Sequence, residues 1–222
     1  MCGRFSLISD LSELQLRFDF ENPLTDYVPR FNISPTQDVL TVRWEDGHNV
    51  GEYMRWGLIP SWAKDMSIGN RAINARAETL AERPMFRTAL RRRRCLILAD
   101  GFYEWTGKGK ARQPMRILLA TGEPFAFAGL WENWTNPEGE QINSCTIVTT
   151  TPNDLMRPIH DRMPVILPSE HERTWVDETT YDAAVLNDIL IPYPPVTMEA
   201  YPVSTLVNSP ANDTPEVIVR AG

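Results

Sequence analysis

The chain begins MCGRF, with a cysteine directly behind the initiator methionine. Removal of Met1 leaves Cys2 with a free α-amine and a free thiol on adjacent carbons, a pairing that no internal residue offers. An α-amine with a pKa near 8 is about 20% neutral at pH 7.4, against about 0.1% for a lysine near 10.4. The terminal amine is therefore the better supplied nucleophile toward a carbonyl. Three further segments place one polar side chain where their surroundings suggest strand or tight loop: Asn74 in INAR, Glu104 in DGFYEW and His160 in IHDRMP. Each also has an ordinary explanation. Asn74 suits a cap or a turn, Glu104 between Tyr103 and Trp105 suits the solvent face of a strand, and His160 beside Asp161 and Arg162 suits a surface loop. If Glu104 faces a pocket instead, the neighbouring aromatics desolvate its carboxylate and raise its pKa toward the range useful for proton shuttling.

Other chemistries find little support. His48, His160 and His171 are far apart and in no ligand spacing, so no metal is expected. GKGK at 107–110 lacks the phosphate-loop pattern and reads as a hairpin turn. Three cysteines with no C-x-x-C spacing argue against a disulfide framework; Cys95 and Cys145 lie in apolar runs and read as small buried hydrophobes. A net charge of −7 disfavours unspecific duplex binding without excluding a local basic groove. Arginine far outnumbers lysine, which suits phosphate contacts and stacking. RRRR at 91–94 reads as a solvated surface run. The first twenty residues carry charges and no apolar run, and CLILA at 95–99 is too short to cross a bilayer, so the expected location is the cytoplasm, with no membrane association.

The elements that must position these residues are legible in outline. Asp10, followed by Glu13, Leu14 and Leu16, marks a capped helix start. DVLTVRW, EDG and NVGEYMRWG form a β-hairpin around an Asp-Gly turn. INARAETLAE predicts an extended entry followed by about two helical turns. CLILAD, FYEW, PMRILLA, FAFAGLWE and INSCTIVTT are short β-rich runs at about ten-residue spacing, which favours an antiparallel barrel-like or sandwich sheet. Helices are expected within 168–190. The class is α+β, a mainly antiparallel, barrel-like β-sheet core with peripheral helices, in one domain spanning 1–222.

In combination these segments resemble one family. MCGRF, RFNISPTQ at 30–37, RWGLIPSWA at 55–63, INARAET at 73–79, ADGFYEW at 99–105, IHDRMP at 159–164 and PVS…VNSPANDTPE at 202–216 match, in order, the SOS response-associated peptidase (SRAP) family of abasic-site-processing proteins. The resemblance implies that Cys2 captures the ring-opened aldehyde of an abasic site in single-stranded DNA as a thiazolidine, a covalent protein–DNA crosslink that shields the lesion. It implies that Glu104 shuttles protons, that His160 polarises or protonates the sugar oxygen and that Asn74 orients the Cys2 amine. It also implies autopeptidase activity at Met1, although an ordinary methionine aminopeptidase would remove that residue. Arg4, Arg76 and Arg162 each lie two positions from one of these residues and are expected to border the same pocket as DNA contacts. Trp62 and Trp105 are the stacking candidates, with core packing as their alternative. No cofactor is expected, and a monomer is. Two other readings stand beside this one: an N-terminal-nucleophile amidohydrolase of the glutamine amidotransferase kind, whose N-G-E and R-G-x-D segments the chain lacks, and a non-catalytic single-strand-binding module.

Overall fold

The computed structural model describes residues 2–21, 24, 26–107, 109, 112–179 and 181–221. In chain order the elements are β1 (Phe5–Leu7), α1 (Leu11–Phe18), β2 (Arg30–Ile33), β3 (Asp38–Glu45), β4 (His48–Trp56), β5 (Asn74–Arg76), α2 (Pro84–Arg92), β6 (Arg94–Ala99), β7 (Gly101–Thr106), β8 (Gln113–Leu119), β9 (Phe125–Thr135), β10 (Gln141–Thr150), β11 (Met163–Pro164), β12 (Ile166–Leu167), α3 (Ser169–Val176), α4 (Ala183–Ile189) and β13 (Met198–Pro202). Strands β10, β4, β3, β6 and β9 follow one another and β9 pairs back onto β10, closing a five-stranded barrel. Closure leaves these strands no open edge. Within the ring only β10–β4 is parallel, and β5 continues that parallel ladder along β10. A second sheet, in the order β13-β8-β7-β1-β2, is antiparallel throughout.

Phe127 of β9 joins the barrel to this sheet. It meets Phe5 of β1 at 5.7 Å between ring centres and Phe102 of β7 at 6.0 Å, both edge to face, and Phe5 also meets Trp56 of β4 at 5.1 Å. Edge-to-face contacts of buried aromatics add stabilisation beyond the area they bury. Asp100 then pins β1: it accepts from Ser6 Oγ at 2.7 Å, from the backbone N–H groups of Ile8 and Ser9, and faces the Arg116 guanidinium at 3.3 Å. A buried charge with several donors and a partner escapes the cost of an isolated one.

Local readings hold where turn chemistry is local. Strands β3 and β4 pair from Asp38↔Arg55 to Glu45↔His48, and Asp46 and Gly47 take φ of 48° and 93°. Positive φ at both central residues is the requirement of a type I′ hairpin turn. The five β-rich runs form β6 to β10, and Cys95 and Cys145 are fully buried. Strands β7 and β8 pair as a hairpin to Thr106↔Gln113; in the GKGK turn between them Lys108 and Lys110 lie outside the described residues. The helix α1 follows Asp10 as expected, but the Asp10 side chain makes no capping hydrogen bond.

Two expectations are corrected. After β5 the chain makes a single 3₁₀ turn, Ala77–Thr79, rather than two helical turns, and the α-helix begins only at Pro84, where proline at the first position fits. The RRRR run is not a solvated surface throughout. Arg91 and Arg92 are exposed, but Arg94 is 0% exposed and donates to the carbonyls of Leu90, Arg91, Trp175 and Asp177. Its guanidinium thus serves carbonyls at the C-terminal ends of both α2 and α3, which a helix leaves without intrahelical donors.

Candidate active site

The register of β1 on β7 aligns Phe5 with Phe102, and Tyr103 N–H donates to the Arg4 carbonyl at 2.9 Å. Extending this pairing carries Gly3 and Cys2 toward Glu104. Along β7, residues alternate between faces. Phe102 turns into the aromatic core, whereas Tyr103 joins Val203, Val207 and Val217 on the opposite face, with Trp105 packed against them. Glu104 shares the inner face with Phe102 and is 3% exposed, so its solvent-face alternative does not apply. Burial pushes the Glu104 carboxyl above its ordinary range, opposed by the positive charges of the chain's amino terminus, His160 and Arg112. The Cys2 thiol is buried too and is pushed well up, first by loss of solvent and next by the negative charge of Glu104. It lies 4.0 Å from the Arg4 carbonyl.

Asn74 opens β5, where it pairs with Ile147 of β10, and its Nδ2 donates to the Cys2 carbonyl at 2.7 Å. The Asn74 Oδ1 is buried and accepts no hydrogen bond among the described residues. His160 ends the turn-rich segment after β10; its backbone N–H donates to Met156, and its Nδ1 accepts from the Arg162 backbone N–H at 3.0 Å. Asp161 Oδ1 lies 2.9 Å from the same nitrogen. The fold therefore gathers Cys2, Asn74, Glu104 and His160, which come from four separate elements. This set combines a nucleophile position, an amide that fixes its backbone, a desolvated carboxyl and an imidazole. It suits proton transfer at a captured carbonyl. Among the described residues no three His, Cys, Asp or Glu side chains gather as metal ligands do.

The expected DNA contacts are placed less uniformly. Arg76 is exposed at the end of β5. Arg162 is largely covered, with its guanidinium bonded to both oxygens of Glu78 and to the Thr149 carbonyl. Arg4 is half-buried, donating to Asn32 Oδ1 at 2.7 Å and the Val207 carbonyl at 2.6 Å on the side of the sheet where Tyr103 packs. Trp62 is 61% exposed and lines a cavity of about 630 Å³ with Lys64, Asn70 and Arg71. Core packing thus does not describe Trp62. Trp105 is half-buried; its Nε1 donates to Asn208 Oδ1 at 2.7 Å, and it lines a cavity of about 480 Å³ with Gly109, Arg112 and Asn208. Glu78, Arg112 and Asn208 are residues that sequence reasoning passed over. Glu78 lies within the INARAET segment, but only its bond to Arg162, 84 residues away, singles it out.

Comparison with known proteins agrees with the motifs. The chain is 49% identical over 221 residues to abasic site processing protein YoqW of Bacillus subtilis (strain 168), covering 98% of this chain and 99% of that protein. It is 32% identical over 222 residues to abasic site processing protein HMCES of Xenopus tropicalis, covering 86% of this chain and 65% of the relative. A crystal structure of a protein from Bacteroides thetaiotaomicron superposes with a TM-score of 0.91 at 25% identity, over 99% of this chain and 100% of that one. The family model for SOS response associated peptidase (SRAP) matches residues 1–210. With the same motifs spread over barrel, sheet and loops, the chain belongs to the SOS response associated peptidase (SRAP) family.

Proposed function

We propose that this protein captures abasic sites in single-stranded DNA as a covalent crosslink through Cys2. With Met1 removed, the α-amine attacks C1′ of the ring-opened sugar and water leaves, giving an imine. The Cys2 sulfur then bonds to the same carbon as the thiol proton passes to nitrogen, closing a five-membered thiazolidine. One water is lost overall, and no oxidant or cofactor is consumed. Ring closure is intramolecular and gains the high effective concentration that proximity provides. The raised thiol pKa supports this order, nitrogen first and sulfur second, because a buried thiol stays protonated until the carbonyl carbon stands beside it.

The observation that carries the proposal is the convergence of Asn74 and Glu104 on Cys2, with His160 near enough for its charge to act on Glu104. Glu104, holding its proton to a higher pH than an ordinary carboxyl, shuttles it between amine, carbinol and departing water. His160 protonates the sugar ring oxygen as the ring opens. Asn74 holds the Cys2 carbonyl and leaves Oδ1 to accept from the freed amine. Relatives named as abasic site processing proteins support the substrate class. Arg4, Arg76 and Arg162 flank the lesion's phosphates, and Trp62 and Trp105 offer faces to neighbouring bases, a mode that reads no sequence. Met1 is removed by an aminopeptidase or by the protein itself, and the protein acts as a cytoplasmic monomer.

The test is to mix processed protein with single-stranded DNA bearing one abasic site and resolve the products on a denaturing gel. A shifted band is expected with this DNA, less with the intact duplex, and none with lesion-free DNA or with Cys2→Ala. An undiminished band with Cys2→Ala overturns the proposal.

A further inference from the structure

We infer that Glu78 is a positioning residue for the capture reaction, acting through Arg162 to hold the His160 loop against the strand that carries Asn74; this rests on the function proposed above. Glu78 lies in the 3₁₀ turn Ala77–Thr79 that directly follows β5, whose first residue is Asn74. Arg162 lies two residues beyond His160. Arg162 Nη1 donates to Glu78 Oε1 at 2.6 Å and Nη2 to Oε2 at 2.9 Å. Such a bidentate, charge-assisted pair fixes orientation as well as distance. Nη2 also donates to the Thr149 carbonyl at 2.6 Å, and Thr149 stands opposite Arg76 in the β5–β10 ladder. On the other side, the Arg162 backbone N–H holds His160 Nδ1 at 3.0 Å.

A continuous path of bonds therefore runs from the Asn74 strand through Glu78 and Arg162 to the imidazole. The Arg162 side chain is only 13% exposed and Glu78 is 47% exposed, so the guanidinium's charge is matched within the protein before any DNA arrives. The first use of Arg162 is internal, and one N–H of Nη1 remains for a phosphate. A partly exposed ion pair contributes little to stability. Its effect is geometric, and misplacement of a reacting group by about 1 Å can cost a hundredfold in rate.

Two measurements test this on the full-length processed protein. One is the crosslinking rate at saturating single-stranded abasic DNA; the other is the affinity for the same DNA carrying a tetrahydrofuran analogue, which has no aldehyde. Glu78→Ala is expected to lower the saturated rate about tenfold while leaving the affinity within about twofold and the melting temperature unchanged. Glu78→Gln keeps one acceptor oxygen for Arg162 and is expected to recover much of the rate. A wild-type rate in Glu78→Ala overturns the inference. So does tighter DNA binding with an undiminished rate, which makes Glu78 a competitor for Arg162 rather than its support. If wild type forms no Cys2-dependent crosslink, the proposed function fails, and the inference is then decided by the imidazole nitrogen NMR signals: those of His160 move in Glu78→Ala while those of His48 and His171 do not. An unmoved His160 signal sinks it.

Discussion

A carboxylate withdrawn from water beneath an aromatic core costs the fold stability, and Glu104 is in that position. Its folded pKa lies above its unfolded one, so the folded state binds the proton more tightly. The stabilisation this gives is present below the unfolded carboxylate pKa and is lost as pH rises through the folded one. Where pH exceeds the folded pKa, the ionised group is a burden on the fold. Glu104→Gln is therefore expected to raise the melting temperature at pH 7 by a few degrees, an order of magnitude set by linkage. Paired thermal scans of wild type and variant from pH 4 to 8 should converge at the acid end. The same variant should crosslink about a hundredfold more slowly, in keeping with the loss of one general acid–base group. A variant both less stable and equally active would contradict this account.

At the scale of elements, Arg94 shows how a charged residue at the start of a strand becomes a joint between helices. Its four carbonyl partners belong to the ends of α2 and α3, so both helices depend on one guanidinium for C-terminal satisfaction. Removing one partner of a buried hydrogen-bonded charge leaves the others unpaired. Arg94→Ala is expected to destabilise the protein by about 3 kcal/mol or more, with a drop in melting temperature of roughly 10 °C. Denaturant unfolding followed by far-ultraviolet circular dichroism measures it. Arg91→Ala, on the exposed part of the same run, should lie within about 0.5 kcal/mol of wild type.

For the whole molecule, Phe127 is the barrel side chain that meets both β1 and β7 of the sheet that holds Glu104 and that Cys2 leads into. Phe127→Ala opens a cavity between the two and is expected to cost about 3–5 kcal/mol. The crosslinking rate should also fall at a temperature well below the variant's melting point, because Phe5 and Phe102 lose their common anchor and β1 and β7 carry the reactive groups. Melting curves and crosslinking at 15 °C separate the two effects. An unchanged rate in the folded variant would mean that the sheet positions its residues without help from the barrel.

The chain's local chemistry determined what local chemistry can: the Asp46-Gly47 hairpin, the β-rich runs from Arg94 to Thr150, the cysteine directly behind the initiator methionine, and the ordered motifs that announce the family. Each depends on residues a few positions apart. Which way a side chain faces was not decided there. In FYEW, aromatics occupy both faces of β7, so alternation alone could not tell whether Glu104 meets solvent or core. The barrel packed on one face of that strand decided it. Likewise Arg94 is buried because two helix ends distant in sequence meet there, and Glu78 braces Arg162 across 84 residues. Contacts of that span depend on barrel closure and parallel pairing with β10, which no window of neighbouring residues encodes.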